Sequence, residues 1–114
     1  MSDQTIFQRI INRELPARFV HEDNELVAFH DAFPKAPVHV LIVPRKPIPS
    51  VDDLEDEDVV LVGRMILLAK SLAQELGLKQ GYRLVFNCKQ QGGQTVDHLH
   101  LHLLGGRLMH WPPG

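Results

Sequence analysis

Val96–Leu104 reads VDHLHLHLL, in which three histidines alternate with three leucines. Strict alternation with period 2 is typical of a β-strand that is buried on one face. On such a strand His98, His100 and His102 share one face, and the leucines share the other. Because three imidazoles without partners would be costly in a core, we expect the leucine face to cover the core and the histidine face to border a site or solvent.

The composition indicates one globular domain over residues 1–114. The chain has 114 residues, 44% hydrophobic and 23% charged, and a net charge of -2, which gives no basic surface for nucleic acid. A lone cysteine, Cys88, excludes an internal disulfide and fits a reducing compartment. The N-terminus lacks the features of a secretory signal, and no apolar run is long enough to cross a bilayer. We therefore expect a cytoplasmic protein that binds neither nucleic acid nor membranes.

The hydrophobic periodicity predicts an α+β fold. It indicates a short N-terminal helix over Thr5–Arg13, capped by Ser2 or Asp3, and one long helix over Glu55–Leu76 that ends before Gly77. Five segments are predicted as strands: Phe19–Glu22, Leu26–His30, His39–Val43, Tyr82–Cys88 and Val96–Leu104. Short connections between them predict one mostly antiparallel five-stranded sheet, followed by a tail over 105–114.

The histidine strand permits two kinds of chemistry. A zinc site is one, but alternate Cα atoms on a strand lie about 6.6 Å apart, so three imidazoles reach one ion only with severe bending. A site with two of them needs a third ligand, for which His39 is the only good candidate. The other is nucleophilic attack on phosphorus by neutral His100, with one neighbouring histidine orienting it and the other binding the phosphoryl group. The preceding loop Gly92–Thr95, GGQT, favours an anion because glycines allow close backbone approach.

The segment HLHLHLL at 98–104 resembles the HφHφHφφ signature of the histidine triad superfamily, where φ is apolar. Five blocks, one of which contains this signature, resemble its Hint branch, the histidine triad nucleotide-binding proteins, and together cover nearly the whole chain: IFQRIINRELPA, AFHDAFPKAPVHVLIVPRK, GYRLVFN, GGQTVDHLHLHLLGGR and MHWPPG. The resemblance implies a purine nucleoside phosphoramidase without a cofactor. Such enzymes hydrolyse P–N bonds of adenosine 5′-phosphoramidates, AMP-lysine adducts and aminoacyl-adenylates through a nucleotidyl-histidine intermediate.

The resemblance also implies catalytic roles. His100 is the nucleophile, and the backbone carbonyl of His98 accepts a hydrogen bond from its far ring nitrogen. His102 contacts the phosphate, and His39 lies behind the triad as an orienting residue. Thr95 supplies a hydroxyl to the phosphate or the leaving group.

For substrate binding, the resemblance implies that Asp31 holds the two ribose hydroxyls, which a carboxylate can accept together. Asn87 and Gly93 match residues that line the phosphate and ribose region. The expected wall of the base pocket consists of Phe7, Ile10, Phe29 and His30. From spacing alone, a role of Phe7 and Ile10 in core packing is about as well supported as a role in the base pocket. Three features depart from the family pattern: Asp97, Thr95 in place of a common serine, and the pair Ala32-Phe33. They bear on leaving-group preference and rate.

The family is homodimeric, with two protomer sheets joined into one ten-stranded sheet. The wide apolar stripe of the long helix and the edge candidate Tyr82–Cys88 are consistent with such an interface. Trp111 in the tail is implied to reach the partner's active site and to shape the preference for leaving groups.

Three other functions remain alternatives. The same intermediate serves nucleotidyl transfer and dinucleoside polyphosphate hydrolysis, although relatives with those activities have other C-terminal regions than MHWPPG. A nucleotide-binding scaffold with vestigial hydrolysis is the second, and a metalloenzyme is the third.

Overall fold

The computed structural model describes residues 4–114, so the expected caps Ser2 and Asp3 lie outside the described part of the chain. The elements follow in the order α1 Ile6–Ile11, β1 Phe19–Glu22, β2 Leu26–His30, β3 Val38–Pro44, two short 3₁₀ turns Val51–Asp53 and Asp56–Asp58, α2 Val59–Glu75, β4 Tyr82–Val85 and β5 Leu101–Gly105. Within residues 4–114, no helix has the length and apolar character needed to span a membrane.

The five strands form one antiparallel sheet in the order β1-β2-β3-β5-β4. This confirms the predicted α+β fold with a five-stranded sheet, a short first helix and one long helix. β3 and β5 are central, and β3 pairs Leu41 with His102 and Val40 with Leu103. β4 is an edge strand, so one side of its backbone has no partner strand among the described residues.

The short helix α1 begins at a capping box. The Thr5 side chain accepts a hydrogen bond from the Gln8 backbone N–H at 3.2 Å, and the Gln8 side chain accepts one from the Thr5 N–H at 2.9 Å. These bonds satisfy two of the free N–H groups of the first turn. The helix ends at Ile11, two residues before the predicted Arg13, which has the left-handed φ of 64°.

The long helix α2 begins at Val59, four residues later than predicted. The acidic residues before it form a 3₁₀ turn, in which the buried Asp58 carboxylate accepts from the Glu55 backbone N–H and pairs with Lys46 Nζ at 2.6 Å. At its other end, Gly77 has a φ of 76°, and the Leu78 N–H bonds to the Ala73 carbonyl at 2.9 Å. This is a Schellman ending of the kind that glycine favours.

Two apolar clusters cover the two faces of the sheet. The larger contains the buried face of α2 and all three leucines of the histidine segment; it is centred on Met65, Leu99, Leu101 and Leu103. The smaller contains α1 residues Phe7 and Ile10 with side chains from β2 and β3. The leucine face therefore packs against α2 as predicted, and the opposite face carries the histidines towards α1.

Two predicted strands are too long. β5 spans Leu101–Gly105 rather than Val96–Leu104, because its partner β3 ends at Pro44, which has no N–H for a ladder bond. The Pro44 carbonyl instead accepts from the His98 ring at 2.7 Å, and the Leu99 N–H bonds to the Ile48 carbonyl at 2.7 Å. β4 ends at Val85 rather than Cys88 because it pairs with β5, which begins at Leu101, next to the partner of Val85.

Candidate active site

A cavity of about 820 Å³ lies on the α1 side of the sheet. Eight predicted site residues line it: Phe7, Ile10, Phe29, His30, Asp31, Thr95, His100 and His102. The same cavity is also lined by Phe33, which follows Asp31 by two positions. Apolar side chains therefore form most of the wall, and the polar groups concentrate around the two histidines, as is usual for sites that bind small molecules.

Five predicted site residues lie outside the cavity lining. His39 and His98 are buried beneath it, and Gly93 lies exposed in the loop before β5. Asn87 is half-buried in the irregular segment after β4, and Trp111 is 84% exposed in the tail. The structure thus brings the imidazoles, Asp31, Thr95 and the apolar wall together, and it leaves Asn87, Gly93 and Trp111 apart from them.

The hydrogen bonds of His100 determine which of its nitrogens is free. His100 Nδ1 lies 2.7 Å from the His98 carbonyl oxygen, which can only accept, so Nδ1 carries the proton. In the neutral ring the lone pair is therefore on Nε2. The edge-on rings of Phe7 at 4.8 Å and His102 at 4.9 Å, measured between centroids, restrict the orientation of this imidazole.

A second chain of hydrogen bonds fixes His39 and His102. The Lys35 backbone N–H donates to His39 Nδ1 at 3.0 Å, so neutral His39 carries its proton on Nε2. His39 Nε2 lies 2.9 Å from His102 Nδ1 and donates to it. Neutral His102 then carries its own proton on Nε2, a buried atom with no hydrogen-bond partner among the described residues. Of these three imidazoles, His100 therefore presents a lone pair and His102 presents a free donor.

Burial keeps these imidazoles neutral. It lowers the pKa of His100 below the ordinary 6.5, although the His98 carbonyl and the charge of Asp31 oppose the shift. It lowers the pKa of His102 to about 4, and the neighbouring His100 and His39 act in the same direction. Burial also lowers the pKa of His39 and His98. A neutral His100 is the form that has a lone pair for attack.

Asp31 links the rim of the cavity to the buried histidines. One carboxylate oxygen accepts from the Phe33 backbone N–H at 2.8 Å, and the other lies 3.4 Å from His39 Nε2. The side chain is partly exposed and lines the cavity. It can therefore accept hydrogen bonds from a ligand while it remains anchored to the loop.

Asp31, His39 and His102 are the one group of possible metal ligands among residues 4–114, with their ligand atoms within 4.8 Å of one another. The hydrogen bonding opposes this use. His39 Nε2 carries a proton as long as His39 Nδ1 accepts from Lys35, and a metal ligand must be deprotonated. The donor set fits a hydrogen-bonded chain better than a metal centre.

The loop before β5 is held by Gln94, a residue that sequence reasoning missed. Its amide nitrogen donates to the Pro49 and Val96 carbonyls at 2.7 and 2.9 Å, and its amide oxygen accepts from the Lys89 N–H at 2.8 Å. Gln94 lies within the quoted GGQT, but no periodicity or charge pattern marks it. In the same loop the backbone of Gly92 packs closely against that of Cys88, so that a Cβ at Gly92 would collide with the Cys88 carbonyl oxygen.

Comparisons with known proteins agree with this architecture. The sheet, the single long helix and the buried imidazoles define an α+β domain whose candidate site is built from histidines. The HIT domain family matches residues 12–109, and the chain belongs to this family. It is 51% identical to an uncharacterized HIT-like protein of Synechocystis sp. and 50% identical to one of Synechococcus elongatus, in both cases over 114 residues and the full length of both chains.

Three solved structures are similar. A HIT family hydrolase from Legionella pneumophila has 50% identity and a TM-score of 0.95, covering 97% of this chain and 100% of that chain. A histidine triad protein from Clostridium difficile has 38% identity and a TM-score of 0.91, with 96% of each chain covered. A histidine triad nucleotide-binding protein from Candida albicans has 28% identity and a TM-score of 0.81, covering 96% of this chain and 83% of that chain.

Proposed function

We propose that this HIT-domain protein is a purine nucleoside phosphoramidase that uses His100 as its nucleophile. The observation that carries the proposal is the hydrogen bond from His100 Nδ1 to the His98 carbonyl, which leaves the Nε2 lone pair on a ring that lines the cavity. A neutral imidazole held in this way can attack phosphorus at neutral pH without a metal. The nucleotide-binding protein from Candida albicans and the hydrolase from Legionella pneumophila support this class of substrate and reaction.

In the first step, the His100 Nε2 lone pair forms a bond to the phosphorus of a nucleoside 5′-phosphoramidate. The P–N bond to the amine breaks, and its electron pair leaves with the amine nitrogen, which takes a proton from solvent. The Nε2–H of His102 donates to a phosphoryl oxygen and stabilises the charge that develops there. Thr95 lines the same cavity, and its hydroxyl is a second donor for the phosphoryl group or the leaving nitrogen.

In the second step, water attacks the phosphorus of the nucleotidyl-histidine. The electron pair of the His100–phosphorus bond returns to Nε2, and the water gives one proton to solvent. The net reaction converts phosphoramidate and water into nucleoside monophosphate and amine. No cofactor takes part in either step.

The nucleoside occupies the apolar part of the cavity in this proposal. Asp31 accepts from the ribose hydroxyls with the carboxylate that lines the cavity. The base lies against a wall in which Phe7 packs edge-on to Phe29, with ring centroids 5.7 Å apart. Phe7 and Ile10 are buried and line the cavity as well, so the same side chains serve both packing and binding.

The proposal includes a homodimer. One flank of α2 exposes the apolar residues Val59 and Ile66, and the neighbouring edge strand β4 exposes Tyr82 and Leu84. Two copies related by a twofold axis would cover both features and join the sheets edge to edge. The exposed Trp111 would then extend towards the partner's cavity, and Asn87 and Gly93 would approach the phosphate on substrate binding.

The test is His100→Ala, with His21→Gln as the control for a partly exposed histidine outside the cavity. His100→Ala is expected to lower hydrolysis of adenosine 5′-phosphoramidate by at least about 10³-fold, since loss of a nucleophile leaves only binding and electrostatic effects. AMP binding, measured by calorimetry, should persist. Rapid quenching of the unaltered protein should reveal, by mass spectrometry, one nucleotide on His100. Full activity of His100→Ala would overturn the proposal, and loss of activity on chelation with recovery on added zinc would favour the metalloenzyme.

A further inference from the structure

Phe33 is a large aromatic residue in an unusual position. Phe33 is 77% exposed, yet it lines the 820 Å³ cavity together with Phe7 and Phe29. Single exposed apolar residues are common on protein surfaces, so exposure alone says little. Exposure at the rim of an apolar cavity that contains the nucleophile is different, because a bound ligand would cover the ring.

The backbone of Phe33 is anchored to the residue proposed to bind ribose. Its N–H donates to the Asp31 carboxylate at 2.8 Å, which closes a turn of the Asx type over Ala32. A ligand whose hydroxyls bind Asp31 therefore lies beside the Phe33 ring. Ala32, which lies between Asp31 and Phe33 in the sequence, also lines the cavity.

The wall contributed by α1 comes from a different part of the chain. Ile6 is half-exposed and lines the cavity together with the buried Phe7. A flat ligand in the cavity would thus meet apolar side chains from α1 and from the loop after β2. Phenylalanine has no hydrogen-bonding group, so it contributes to binding through the apolar area that a ligand covers.

We propose that the Phe33 ring stacks on the base of the bound nucleotide and selects for large aromatic bases by contact area. This inference rests on the proposed function, which supplies the nucleotide. It makes Phe33 a residue that determines substrate affinity and has no part in bond breaking. Purines, which offer the larger ring face, gain more from the contact than pyrimidines.

The experiment compares Phe33→Ala, Phe33→Tyr and the unaltered protein on two substrates with the same amine leaving group. One is adenosine 5′-phosphoramidate, and the other is the corresponding abasic ribose 5′-phosphoramidate. Stacking of one base on an aromatic side chain is worth roughly a 5- to 150-fold change in affinity. Phe33→Ala should raise KM for the adenosine compound by about tenfold within this range, leave kcat unchanged, and leave both parameters unchanged for the abasic compound. Phe33→Tyr should behave like the unaltered protein.

The control variant is Leu108→Ala, which removes an equally exposed apolar side chain that does not line the cavity. Equal losses on both substrates would overturn the inference, because the ring would then act on ribose, phosphate or the loop. An unchanged KM for the adenosine compound would overturn it too.

Calorimetry with AMP and ribose 5-phosphate separates this inference from the proposed function. If the unaltered protein binds AMP but hydrolyses neither substrate, the phosphoramidase proposal fails, and the ratio of the two affinities in Phe33→Ala still decides the role of the ring. If the unaltered protein does not bind AMP, both proposals fail.

Discussion

At the scale of single residues, four imidazoles of the same chemistry acquire different functions through their hydrogen-bond partners. His98 donates from Nε2 to the Pro44 carbonyl and is fully buried, so its side chain supports the fold while its carbonyl orients His100. His39 accepts a hydrogen bond from the Lys35 backbone N–H and donates one to His102. Only His100 is left with a lone pair on the cavity lining.

The tautomers and the pKa of His100 can be measured directly. Nitrogen-15 NMR of histidine-labelled protein at pH 7 should show the Nδ1–H form for His100 and the Nε2–H form for His39 and His102. Because burial lowers the pKa of His100, its titration midpoint should lie below 6.5. Protonation of Nε2 removes the nucleophile, so kcat/KM should fall as the pH drops through that lowered pKa, with a midpoint below 6.5. An Nε2–H signal for His100 at pH 7 would contradict the assignment.

The sequence predicted His100 and its carbonyl partner because both lie within one segment with a recognisable pattern. It did not predict the protonation of His102, which depends on a backbone N–H in the loop before β3. It also missed Phe33 as a cavity residue and Gln94 as a loop anchor, because contacts between distant segments leave no local signal. The roles of Asn87, Gly93 and Trp111 remain predictions.

At the scale of elements, the loop between β4 and β5 is held in place by side-chain contacts rather than by regular structure. The Gln94 side chain bonds to the backbones of Lys89 and Val96 within the loop and of Pro49 outside it. The neighbouring Thr95 lines the cavity. The prediction that the strand begins at Val96 was wrong, because β5 begins at Leu101. Periodicity indicates which face a side chain occupies, but it does not indicate whether the backbone is hydrogen-bonded to a neighbouring strand.

Removing the Gln94 side chain should therefore lower both catalysis and stability. Gln94→Ala removes three hydrogen bonds at a partly exposed position, each worth about 0.5–1.5 kcal/mol at most. We expect kcat/KM for adenosine 5′-phosphoramidate to fall by about tenfold, which corresponds to about 1.4 kcal/mol, with a decrease of a few degrees in Tm. Gln91→Ala, an exposed glutamine in the same loop, should change neither value. A normal kcat/KM in Gln94→Ala would show that the loop holds Thr95 without this anchor.

At the scale of the whole molecule, the exposed apolar residues of α2 do not form one surface. Arg64 and Ile66 flank the buried Met65 on opposite sides, since each helical residue turns by about 100°. Arg64 Nη1 pairs with Glu25 at 2.6 Å, which places its flank over the β1–β2 hairpin. The Ile66 flank therefore faces β5 and the open edge of β4, whereas Leu67 borders a shallow pocket beside the hairpin.

This geometry predicts which substitution separates a dimer. A stable interface buries roughly 1,000 Å² or more, and a twofold axis places equivalent residues of the two copies near each other. Ile66→Glu would bury a charge without a partner in each copy, so we expect sedimentation to show a monomer at concentrations where the unaltered protein is a dimer. Leu67→Glu introduces the same charge at a residue that is 63% exposed on the other flank, and it should remain dimeric. A monomeric unaltered protein would exclude the dimer, and dissociation by Leu67→Glu alone would assign the interface to the hairpin side of α2.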